Sequence, residues 1–132
     1  MTGQAQAMFD DDVASRALGM ELVRAAEGTA VVRMRITRQM VNGYDIAHGG
    51  YLFMLADTAF GCACNTHGEP TLGAGAEISF VTSARLGDQL VATAELRTRY
   101  GRNGIYDVTV RRGDEIIAEF RGRSRSVAAD AS

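Results

Sequence analysis

Two features of one stretch, Asn42 to Asn65, could do chemistry: a glycine pair, Gly49-Gly50, where an apolar run begins, and a lone carboxylate, Asp57, in the middle of that run. The first-turn N–H groups of a helix have no internal partner and carry the positive end of its dipole. A glycine there lets a carbonyl approach the backbone closely, so the Gly49 N–H can bond the oxygen of a tetrahedral intermediate. By itself the pair is first of all what a sharp loop-to-helix turn needs. Asp57 stands where helix propensity and burial both disfavour it. Either it pairs with an arginine or a neighbour's helix-end donors, or it is a general base or nucleophile in a partly dry cleft, where desolvation keeps its pKa high enough for proton transfer.

Distance links the two. Gly49 and Asp57 are eight residues apart, which is about 12 Å of helix rise, whereas a base acting through one water must lie within a few ångströms of the held carbonyl. One chain therefore cannot supply both groups to one carbonyl. Two antiparallel helices from two subunits could, each lending its N-terminus to the other's carboxylate across a two-fold axis, so an obligate dimer with two composite sites is expected.

Other side chains are weaker candidates. His48 can bond an acyl group or orient its loop, or be a surface turn residue. Asn42, in Asn42-Gly43, suits a turn and could also bond a carbonyl or water. Thr58 can bond Asp57 or a water, or bond back to its own helix. Arg97, Arg99 and Arg102 flank the turn that holds Asn103 and could grip phosphates, or simply form a solvated strand face, as could Arg121, Arg123 and Arg125. His67 is expected beyond the helix at a solvated C-terminus where a cation is favourable, with no chemistry assigned. No metal is expected, because no two His and carboxylates stand at ligand spacing, and no Ser sits in a Gly-x-Ser-x-Gly elbow.

The elements that must position these residues follow from periodicity. Ala5–Leu18 has helical spacing, with Met8, Val13, Ala14 and Ala17 on one face and Gly19 as its stop. Leu22–Ala25 and Ala30–Thr37 alternate with period two around Glu27-Gly28, a hairpin. The apolar run Tyr51–Cys64 is the central helix. Four alternating segments follow, Ala74–Ser83, Leu90–Tyr100, Ile105–Arg112 and Ile116–Val127, expected as a meander of antiparallel strands. A helix apolar on nearly every side is best satisfied by a curved antiparallel sheet wrapped around it, an α+β architecture.

Composition narrows the classes. The 132 residues, 46% apolar and 23% charged with 15 Gly and 1 Pro, fit one domain over 1–132, with its N-terminal helix inside 1–18 and a loose tail at 128–132. Net charge is −2, and all 14 basic residues are arginine, so there is no global cationic field for nucleic acid or anionic lipid. Cys62 and Cys64, one residue apart in the apolar run, read as reduced core residues. With no secretory signal pattern and an apolar stretch shorter than the roughly 20 residues a membrane helix needs, a cytoplasmic location is expected.

On Asn42-Gly43, His48-Gly49-Gly50, Leu55-Ala56-Asp57-Thr58-Ala59-Phe60 and Gly104-Ile105-Tyr106-Asp107, the chain resembles the hotdog-fold acyl-CoA thioesterases of the phenylacetic-acid-degradation (PaaI-like) type, from about Ala7 to Val127. The resemblance implies hydrolysis of aryl- or arylacetyl-CoA thioesters, with Asp57 as base or nucleophile and the Gly49 amide polarising the carbonyl. His48 and Asn42 would position substrate or water, Gly50, Thr58, Arg99, Arg102 and Asn103 would contact substrate, and hotdog dimers would assemble into a tetramer. It implies no metal and no cofactor beyond the CoA of the substrate. Relatives often carry a Leu-Arg-Pro-like segment where this chain has Val81-Thr82-Ser83-Ala84, and some have an Asn where it offers Asp11. A hotdog hydratase or dehydratase using His48 with Asp57, and a non-catalytic acyl-CoA-binding module, are the alternatives.

Overall fold

A computed structural model describes residues 3–127; the expected tail, 128–132, lies outside the described residues. The elements run α1 (Gly3–Asp10), α2 (Val13–Ala17), β1 (Glu21–Ala26), β2 (Thr29–Arg35), α3 (Gly49–Cys64), β3 (Thr71–Phe80), β4 (Gln89–Tyr100), β5 (Asn103–Arg112) and β6 (Glu115–Ser126). The N-terminal segment is two helices rather than the one expected over Ala5–Leu18. The break falls at Asp11-Asp12 because Asp12 caps α2, its carboxylate accepting from the Ser15 N–H at 3.0 Å. The buried positions are Ala5, Phe9 and Ser15, not the predicted stripe: Met8 is exposed and Val13 is 80% exposed. Gly19, at φ +79°, ends α2 as expected.

All strand pairs are antiparallel, in the order β1-β2-β4-β5-β6-β3. The expected four-strand meander is correct only for β4-β5-β6. α3 crosses the sheet between β2 and β3 and delivers β3 to the far edge, beside β6. The connection from β3 back to β4, residues 81–88, is too long for a tight hairpin. Its Gly87 instead bonds back to Ile36, while the Ile36 N–H bonds Asp88, which places β4 against β2.

The sheet bends around α3 with the help of register shifts at Leu22/Arg24, Gly73/Gly75, Leu96/Thr98 and Val110/Arg111. This is the hotdog arrangement. α3 contacts every strand, and its Leu55, Ala56, Ala59, Phe60, Cys62 and Ala63 bury against inward side chains such as Val32, Leu90, Tyr106 and Val108. Cys62 and Cys64 are free and buried, and burial pushes both thiols up to about 12. No helix among the described residues is long and apolar enough to cross a membrane.

One close fit in this core lies under Phe60, which sits 5.7 Å from Tyr106 and 5.8 Å from Phe120 between ring centres. The ring lies on the backbone of Gly122, where a Cβ would come within 2.8 Å of three of its atoms. Gly122→Ala is therefore expected to lower unfolding free energy by about 1–3 kcal/mol, as overpacking does elsewhere. Urea denaturation checks it; an unchanged midpoint would show that Phe60 has room to move.

Candidate active site

The loop before α3 is built on Asn42. Its Oδ1 accepts from the N–H groups of Tyr44 (2.9 Å) and Ile46 (3.1 Å), and its own N–H donates to the Ile46 carbonyl at 2.9 Å. Such a side-chain turn is what Asn favours, and it commits the acceptor end of the amide to the loop. The positive φ falls on Asp45 (+61°), not on Gly43.

His48 is the residue before the first turn of α3, with an extended backbone (φ −64°, ψ 140°) and no side-chain capping bond. Its N–H donates to the Met40 carbonyl at 2.9 Å, and its own carbonyl accepts from Tyr51 N–H at 3.1 Å. The imidazole is exposed, as is Gly50. Gly49 opens the helix, and among the described residues its N–H has no acceptor. A Cβ at Gly49 would lie 2.6 Å from Cζ of Phe80, at the end of β3, so any side chain at this position would have to displace the ring that rests on it. Gly49, Leu52, Phe80, Val81, Ser83 and Ala84 help enclose a depression of about 260 Å³.

Asp57 lies about two turns further along α3, on the rim of a different depression of about 510 Å³. Phe53, Phe60 and Met8 and the small residues of β3, among them Gly73 and Ala74, form its walls. The residue is exposed in a lone protomer, although its neighbours Leu55, Ala56, Thr58 and Ala59 are buried. The surrounding walls still desolvate the carboxylate, which raises its pKa, and the charge of Asp12 adds to the rise. Among the described residues Asp57 has no hydrogen-bond or ion-pair partner, so neither structural explanation offered by the sequence is met. One protomer thus presents an amide donor at one depression and a carboxylate at another.

The remaining candidates are placed elsewhere. Thr58 is buried, and its Oγ1 lies 2.8 Å from Ser15 Oγ, not against Asp57. Arg99, Arg102 and Asn103 lie at the β4–β5 end and line neither depression. Arg99 approaches Glu69 at 3.6 Å. Arg97 is held by Asp107, which also takes Arg121 (2.6 Å), so those two arginines belong to a paired outer face. The arginines hold the Asp107 carboxyl at about 2, against the opposing effect of burial. His67 is not the expected solvated cation: among the described residues its buried Nε2 has no partner, and desolvation, followed by Arg99, lowers its pKa. Asp11 is exposed in the break between α1 and α2.

Residues 44–119 match the thioesterase superfamily. This chain belongs to that superfamily. The matched thioesterase segment contains Gly49, Phe80 and Asp57 and both depressions' principal walls, and it leaves out α1 and α2. Over 124 residues the chain is 41% identical to the acyl-coenzyme A thioesterase PaaI of Escherichia coli strain K12, covering 93% of this chain and 89% of that one. A putative esterase of Deinococcus radiodurans is 37% identical over 80% of the chain and 73% of its own length. Among solved structures, the E. coli PaaI protein from the phenylacetic acid degradation operon superposes with a TM-score of 0.91 at 40% identity, over 95% of this chain and 91% of that one. A mutant form of the phenylacetic acid degradation protein PaaI from Thermus thermophilus gives 0.85 at 29% identity, over 88% and 100%.

Phe80 and the pair Asp12 and Ser15 are not singled out by the sequence. Asp-x-x-Ser ahead of a short helix is a capping pattern that could have flagged Asp12. Nothing in a period-two strand marks Phe80 as the residue that will cover Gly49.

Proposed function

We propose that this thioesterase hydrolyses aryl- or arylacetyl-CoA thioesters to the free acid and CoA at sites shared between two protomers. The observation that carries the reading is the separation of a free helix-start amide from an unpaired carboxylate whose pKa burial raises, in a chain 41% identical to an acyl-CoA thioesterase. The Gly49 N–H of one protomer draws charge onto the thioester oxygen. Asp57 of the other either takes a proton from water, which then attacks the carbonyl carbon, or attacks that carbon itself to form an anhydride that water opens. In both routes the C–S bond breaks and CoA leaves as thiolate. His48 and the Asn42-built loop orient the acyl group beside Gly49 and Gly50. Arg99, Arg102 and Asn103 face the phosphates of CoA. Thr58 serves substrate only indirectly, through the packing of α3. No metal and no further cofactor enter this scheme.

The edge of β3 supports the shared site. β3 is the terminal strand, paired on one side only, and it exposes Leu72 (62%) and Phe80 (55%), followed by Val81 (58%). An apolar, unpaired edge of this length favours pairing with a second copy, which gives a homodimer, with a tetramer of two such dimers. The free, buried Cys62 and Cys64 suit a reducing cytoplasm.

A thiol-release screen over aryl-, arylacetyl- and straight-chain acyl-CoAs tests the proposal. Release is expected with the aromatic esters at the highest kcat/KM. Enoyl absorbance without thiol would instead indicate a hydratase, and tight acyl-CoA binding without turnover a binding module.

A further inference from the structure

α1 and α2 lie over the middle of α3. Met8 of α1 reaches the depression that holds Asp57, and its Cε lies 3.9 Å from where a Cβ on Gly61 would stand. Ser15 of α2 meets Thr58, the residue next to Asp57. Ser15 is fully buried, and its Oγ lies 2.6 Å from Asp12 Oδ2 and 2.8 Å from Thr58 Oγ1.

Proton counting gives this chain a direction. An ionised carboxylate only accepts, so the single proton of the Ser15 hydroxyl goes to Asp12. Thr58 must then donate to Ser15. Its hydroxyl proton is committed away from Asp57, and Asp12 is fixed twice, by this bond and by the 3.0 Å bond it accepts from the Ser15 N–H.

We propose that Asp12 is a positioning residue for the thioesterase reaction, a fixed negative charge that the Ser15–Thr58 tie holds against the middle of α3. The inference rests on the reading of Asp57 as the reacting carboxylate. Its consequence is that Asp57 holds a proton more tightly than its own desolvation alone would require. Burial is the larger cause of that tightening and Asp12 the second. Cys62, one turn beyond Thr58, is also pushed up first by burial and then by Asp12, which places the charge over the same part of the helix.

Other groups around Asp57 do not supply this effect. The walls contributed by α1 and β3, including Met8, Gly73 and Ala74, are uncharged. Asp10 of α1 accepts from Gln6, Arg16 of α2 donates to the Asp10 carbonyl, and Glu77 of β3 is paired with Arg123. On α3 itself Cys64 stays a neutral thiol. The strands packed on α3 bury no charged side chain among the described residues.

The test is Asp12→Asn, which keeps a residue equally good at capping α2. With aspartate labelled at its carboxyl carbon, the Asp57 signal is assigned by its loss in Asp57→Asn and titrated by NMR. Its midpoint is expected to move to lower pH in Asp12→Asn and to stay near the wild-type position in Asp12→Glu. Ser15→Ala, which releases the carboxylate from Thr58, is expected to shift it in the same direction as Asn. An unmoved midpoint in Asp12→Asn and Ser15→Ala overturns the proposal. The acid limb of thiol release, measured in parallel, separates the two readings. If it follows the titration both stand; if the titration moves alone, Asp12 acts on Asp57 but Asp57 is not the reacting group.

Discussion

Asp57→Asn is expected to lower kcat for thiol release by at least about 10²- to 10⁴-fold, the range that positioned general bases supply. Binding should be little affected, because the carboxylate makes no hydrogen bond or ion pair among the described residues and Asn has nearly its shape. Stability gives an internal control. The pKa of Asp57 is raised in the fold, so its contribution to stability is present at low pH, below the unfolded value, and is lost as pH rises through the folded-state value. At neutral pH the ionised form is therefore a burden, and Asn removes it. The urea midpoint of Asp57→Asn at pH 7 is expected to match or exceed that of the wild type. The same sign governs the wild-type rate: thiol release falls as acid protonates Asp57, at a pH above that of an ordinary aspartate. Near-normal turnover in the Asn variant would remove Asp57 from the mechanism.

The second large effect concerns a backbone group, which side-chain substitution cannot remove directly. Proline can. Gly49 is the first residue of α3, a position where proline is well tolerated, and His48 before it has the extended backbone that a following proline requires. The obstacle is Phe80, whose ring occupies the space of any Cβ at this position. Gly49→Pro and Gly49→Ala are therefore compared in a Phe80→Ala background. Both variants carry a Cβ, and only the alanine keeps the N–H. Proline is expected to lower kcat about 10²- to 10³-fold below alanine, the measured worth of one oxyanion donor. Circular dichroism and urea midpoints should be similar for the pair. Equal rates would mean that the amide of Gly49 does not hold the carbonyl.

The features visible in the sequence are those that depend on local pattern. α3 is announced by an apolar run that follows a glycine pair, and β4, β5 and β6 by alternation between turn residues. Asp57 is conspicuous because a carboxylate interrupts residues that otherwise face a core. The place of β3 is not visible, since strand order depends on where the crossover through α3 sets the chain down. The contact between Ser15 and Thr58 joins residues 43 apart, and the cover of Phe80 over Gly49 likewise exists only after the sheet has closed. The break at Asp12 is hidden because the helical spacing runs on through it, while the local competition of an aspartate cap decides against a continuous helix.

The central claim is that the carboxylate and the amide of each working site come from different chains. It is tested most directly by refolding two inactive chains together, Asp57→Asn and Gly49→Pro, both carrying Phe80→Ala. Half of the dimers formed at random hold one chain of each kind, and each of those has one intact site and one doubly defective site, so about 25% of the Phe80→Ala activity is predicted to return. A mixture no more active than its two separate parents would contradict the account, because each chain would then be supplying both groups to its own site.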